Sequence, residues 1–102
     1  VEIEILYIAN CPHSAEAVDQ VNAALTATGH PDVPVTTRLI SNQEDAASVP
    51  FAGSPTILID GEDAVPEAPA THGLACRTYR VPDGMSGTPG TDRLIEAMRN
   101  HQ

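Results

Sequence analysis

The chain has 102 residues, with 14 acidic side chains against 5 basic ones, all of them arginine, for a net charge of -9. That length supports one modest core and one domain, residues 1–102. The charge repels phosphate backbones and anionic headgroups, so neither nucleic acid nor a membrane surface is an expected partner. The longest apolar stretches are strand-sized, and Glu2 and Glu4 stand where a signal peptide would carry its apolar segment, so a soluble, cytoplasmic protein is expected.

In Val1 to Ala9 the glutamates alternate with Val1, Ile3 and Ile5 before a continuous apolar stretch, the pattern of a strand whose second half enters a sheet. From Pro12 the period changes: Ala15, Val18, Val21 and Leu25 recur at helical spacing, Pro12 suits a first helical position and Gly29 supplies a stop. Val33 to Ile40 reads as a second strand, parallel to the first through a right-handed crossover. Ser41 with Glu44 forms a capping box ahead of a short helix over Gln43 to Val49, which Pro50 ends. Thr56 to Asp60 reads as a third strand closed by Asp60-Gly61, and Leu74 to Val81 as the fourth, with an acidic Pro/Ala-rich loop from Glu62 to Gly73 between them. A Thr91 cap opens the last helix through Leu94, Ile95 and Met98. The expected order is βαβαββα, an α/β domain with a four-stranded mixed sheet flanked by helices.

Two cysteines, Cys11 and Cys76, are too few for a disulfide scaffold, and they lack the paired CxxC spacing of a structural zinc site. His30, His72 and His101 share no ligand spacing with them, so no structural metal and no resident cofactor is expected. Cys11 falls where the first strand hands over to the first helix. There, unpaired N–H groups and the positive end of the helix dipole favour an anion, so a nucleophilic thiolate is expected. Counting back along an antiparallel fourth strand sets Cys76 about four residues, or about 13 Å, from Pro55, beyond the reach of a disulfide. Cys76 is accordingly expected to be structural or peripheral, with a role as a second thiol as the alternative.

Cys11-Pro12-His13-Ser14, together with Gly53-Ser54-Pro55-Thr56 at the head of the third strand, resembles the thioredoxin fold family over essentially the whole chain. The resemblance implies a cis peptide at Pro55 packed against the active cysteine. It also implies that the backbone of Ser54 is free to pair with a peptide or glutathione, so that Ser54, Pro55 and Thr56 dock the substrate. Ser14 stands where the family's second cysteine belongs, which implies a monothiol enzyme. Its mixed disulfide would then wait for an external thiol, glutathione as co-substrate, or a distant cysteine. His13 is implied to stabilise the Cys11 thiolate, and Ser14 to polarise it. Asp83-Gly84-Met85-Ser86-Gly87 leading into Thr91-Asp92 looks like the glutaredoxin turn that holds a glutathione carboxylate at a helix N-terminus.

Gly53 to Gly61, with Gly73-Leu74-Ala75-Cys76-Arg77, also resembles small actinobacterial thioredoxin-fold proteins labelled alkylmercury lyases. That resemblance implies soft-metal chemistry at Cys11 and Cys76, although no carboxylate here falls on the lyases' motif. Three readings follow. The first is a thiol-disulfide oxidoreductase acting on small-molecule or protein disulfides through Cys11, His13 and Ser14. The second is a mercury or soft-metal protein, and the third a redox-inactive binding module. Oligomeric state is not encoded in any feature of this sequence.

Overall fold

A computed structural model describes residues 2–9, 11–68, 70, 74–82 and 84–100. Expectations placed on His72, Gly73, Asp83 and His101 therefore lie outside the described residues. The elements run β1 (Ile3–Tyr7), α1 (Ser14–Ala27), β2 (Val35–Leu39), α2 (Gln43–Ala47), β3 (Thr56–Ile59), β4 (Glu62–Asp63), β5 (Tyr79–Val81), β6 (Gly84–Ser86) and α3 (Thr91–Asn100).

The main sheet is four-stranded and mixed, in the order β2-β1-β3-β4. β1 runs parallel to β2, with Ile5 opposite Thr37, and antiparallel to β3, with Ile5 opposite Ile57. Alternation along β1 and β3 assigns the two faces. Ile3, Ile5, Ile57 and Ile59 point to one side, where they meet Val21, Ala24 and Leu25 of α1 and Leu94, Ala97 and Met98 of α3. Leu6 and Leu58 point to the other, where Ile40, Ala46, Val49 and Phe51 around α2 close over them. The apolar helical stripe of α1 thus lies against β1, which fixes where the turn between them, and Cys11 in it, must sit.

Local expectations hold with shifts of a residue or two. α1 starts at Ser14 with His13 as its N-cap, leaving Cys11 and Pro12 in the preceding turn, and ends where Gly29 adopts a φ of 82°. The cap of α2 is Asn42 rather than Ser41: its side chain accepts from the Asp45 amide at 2.8 Å, while Asp45 reaches back to the Ser41 amide at 3.3 Å.

The fourth strand is a correction. It is Glu62–Asp63, paired directly with β3, and not Leu74 to Val81. Asp60 (φ 54°) and Gly61 (φ 84°) both occupy the left-handed region, so they turn the chain tightly enough for a hairpin with no long loop inside it. Within the expected strand the regular strand is Tyr79–Val81, and it pairs with Gly84–Ser86 in a separate two-stranded sheet. Among the described residues no helix is long and apolar enough to cross a membrane.

Candidate active site around Cys11 and Cys76

β1 ends beside the cysteine turn. The Cys11 amide donates to the Ile8 carbonyl at 3.4 Å and the Cys11 carbonyl accepts from the Ser14 amide at 3.5 Å, so the residue is clasped between strand and helix. Its side chain is nearly buried, at 9% exposure, next to an exposed Pro12. No side chain caps α1, so the positive end of the helix faces this turn, with Glu16 as the acidic residue of its first turn.

Ser14 does not address the sulfur. Its hydroxyl donates to the Cys11 carbonyl oxygen at 3.2 Å, which shapes the turn instead of polarising the thiol. His13 is half exposed, with Nδ1 3.9 Å from a Glu16 carboxylate oxygen. Its ring lies against Gly87: a Cβ built there would stand 2.2 Å from His13 Cδ2 and 2.3 Å from Cγ. Glycine at 87 is what lets the segment before α3 approach this close, and no sequence pattern marked that role. Thr88 follows, buried, and its hydroxyl accepts from the Gln20 side chain at 2.9 Å, tying α3's approach to α1.

The Ser54–Pro55 peptide is cis, as the resemblance implied. The docking role expected for Ser54 and Thr56 meets a different arrangement. The Ser54 amide donates to Ala75 O at 2.9 Å, Ser54 O accepts from the Arg77 amide at 2.8 Å, and Ser54 Oγ accepts from the Ile8 amide at 3.1 Å. Thr56 Oγ1 donates to Gly53 O and accepts from the Ala52 amide. Ser54, Pro55 and Thr56 are buried. The chain's own segment Ala75–Arg77 occupies the backbone pairing expected for a substrate, because the buried Arg77 draws it inward.

That segment carries the largest correction at the site. Cys76 is not peripheral: it forms a parallel bridge with Ser54, whose hydroxyl accepts from the Ile8 amide while the Ile8 carbonyl accepts from the Cys11 amide, so Cys76 is brought to the Cys11 turn. The 13 Å expectation assumed a regular antiparallel ladder through Leu74 to Val81, whereas the chain here makes a single parallel contact at Ser54. Both cysteines are free thiols. Partial loss of water around its sulfur, then the Cys11 charge and a hydrogen bond to Cys11, push the Cys76 thiol above its ordinary range.

Arg77, the residue after Cys76, is 1% exposed. Its guanidinium reaches Asp63 at 2.8 Å and donates to Val65 O at 2.8 Å and Ala68 O at 3.1 Å, and its Cζ lies 5.1 Å from the centre of the Tyr79 ring. Burial alone would lower its pKa, but the hydrogen bond and charge of Asp63, together with Tyr79, hold it raised and charged. The Tyr79 hydroxyl donates to Pro55 O. Asp63, Arg77 and Tyr79 therefore lock β4, the Cys76 segment and the start of β3 into one unit.

Thr91 and Asp92 open α3 and line a groove of about 440 Å³ with Arg80, Pro82 and Arg93, a wall that includes neither cysteine. Among the described residues no three His, Cys, Asp or Glu side chains are grouped so as to hold a metal ion. No protein-family model, curated protein or solved structure matches the chain.

Proposed function

We propose that the chain is a thioredoxin- or glutaredoxin-like thiol-disulfide oxidoreductase with Cys11 as the attacking thiol. The carrying observation is that two free thiols converge at the junction of β1 and α1, Cys11 clasped in the turn and Cys76 bridged to Ser54 beside it. The fold assignment is supported by the strand order β2-β1-β3-β4 with one parallel and two antiparallel pairings, and by α1 and α3 sharing one face. In the reaction the Cys11 thiolate attacks one sulfur of a disulfide R–S–S–R, forming Cys11–S–R and releasing the other half as a thiolate. The substrate is a small-molecule or protein disulfide, with glutathione as the simplest co-substrate. A cytoplasmic setting suits this reading, since a reducing compartment returns both cysteines to the thiol form.

Incubation with oxidised glutathione, followed by intact mass and peptide mapping, tests the reading. The expected result is a new sulfur–sulfur bond at Cys11 that is abolished in Cys11→Ser. Equal consumption of oxidised glutathione by wild type and Cys11→Ser would contradict it.

The same convergence of thiols favours a second reading. Two neighbouring thiolates offer a two-sulfur site to a thiophilic cation such as mercury(II), for which soft sulfur donors are preferred. A mercury salt would then bind one ion per chain and need both cysteines.

A further inference from the structure

We propose that Cys76 is the resolving thiol of this site: once Cys11 holds a substrate sulfur, Cys76 attacks the Cys11 sulfur and the chain is left with an internal Cys11–Cys76 disulfide. The inference rests on Cys11 being the attacking thiol, and in the step that resolves the mixed disulfide it replaces the external thiol that a lone reactive cysteine would require.

Three observations carry it. Cys76 is brought to the Cys11 turn although 64 residues separate them in the chain, because it bridges Ser54, whose hydroxyl meets the amide of Ile8, the residue whose carbonyl holds Cys11. Its backbone is held on both sides, since Ser54 bonds Ala75 at 2.9 Å and Arg77 at 2.8 Å. Arg77, the next residue, is buried and fastened to Asp63, Val65 and Ala68, so the thiol is delivered by an anchored segment. A position held this way raises the effective concentration of the second thiol at Cys11 far above that of a dissolved thiol. Ser14, which occupies the position of a nearer second cysteine, spends its hydroxyl on the Cys11 carbonyl and offers no competing route.

Electrostatics time the step. Loss of water is the largest cause that holds Cys76 protonated, and two smaller ones come from Cys11, its charge and its hydrogen bond. Both vanish when Cys11 enters a mixed disulfide, because that sulfur no longer carries charge. Cys76 then ionises more readily, its thiolate attacks Cys11, the Cys11–S–R bond breaks, and the released thiolate takes up a proton and leaves as R–SH. Across both steps the two cysteines lose two electrons and the substrate disulfide becomes two thiols. Two equivalents of a low-molecular-weight thiol such as glutathione then reduce the internal disulfide, the first by exchange onto one cysteine and the second by releasing the two as their own disulfide.

The test is a time course with oxidised glutathione on the full chain, read by intact mass for wild type, Cys76→Ser, Cys76→Ala and Cys11→Ser. Wild type is expected to pass to a form lighter by two hydrogens, while both Cys76 variants keep glutathione on Cys11 for roughly a hundredfold longer. A wild-type adduct as long-lived as that of the Cys76 variants would overturn the resolving role and leave Cys11 as attacking thiol. Neither adduct nor disulfide in any chain would overturn the reading of Cys11 itself. A stable adduct on Cys76 in Cys11→Ser, formed as fast as wild type reacts, would reverse the two roles and overturn both.

Discussion

Arg77→Ala is expected to destabilise the fold by about 3–5 kcal/mol, the magnitude typical of removing one partner of a buried ion pair. The guanidinium is 1% exposed and reaches Asp63, Val65 O and Ala68 O, so its loss leaves a carboxylate and two carbonyls short of donors. Arg77→Lys should recover little, because one ammonium cannot span three acceptors that a planar fork meets together. Urea denaturation measures the loss; a change below about 1 kcal/mol would show that Asp63 and the two carbonyls are satisfied without the guanidinium. The same variant should free the segment around Cys76, since the residue that anchors it is gone.

Stability should fall steeply in alkali, and Tyr79 is the reason. Burial, ahead of the opposing effect of Arg77 and the reinforcing charge of Asp63, pushes its hydroxyl up to about 12 from 10.0. The folded state therefore holds the proton more tightly than the unfolded chain. The associated stabilisation is fully present below about pH 10 and is lost as pH rises toward about 12, amounting to roughly 2–3 kcal/mol at its end. Cys76, also raised, adds a loss of the same sign. Denaturation midpoints at pH 9 and pH 12 should differ clearly in wild type and much less in Tyr79→Phe, whose stability is reduced from the outset by the missing bond to Pro55 O. An equal alkaline loss in both proteins would assign it to other groups.

The elements with a strong hydrophobic period were legible from the residues. β1, α1, β2, β3 and α3 follow from alternation or from a helical stripe, and Cys11 was placed correctly because the period changes beside it. β4 was not legible, since Glu62–Asp63 is a two-residue acidic strand with no alternation to read; its pairing comes from the left-handed turn at Asp60 and Gly61. Cys76 was misplaced for a related reason. Its position is set by a single bridge to Ser54 and by an arginine folded inward, and nothing in Cys76-Arg77-Thr78 announces that the arginine is buried. Gly87 is equally silent in sequence, because its role depends on where the His13 ring arrives from another part of the chain.

The central claim is that two thiols distant in sequence form one site, and a trivalent arsenical carrying two exchangeable ligands tests it most directly, because soft arsenic bridges thiols that lie together. The account predicts one arsenical per chain with both thiols lost at once, and binding weakened by about a hundredfold in either Cys11→Ser or Cys76→Ser, as expected when the second bond is no longer intramolecular. Independent, monothiol-like reaction of the two cysteines, with either serine variant binding as tightly as wild type, would contradict it.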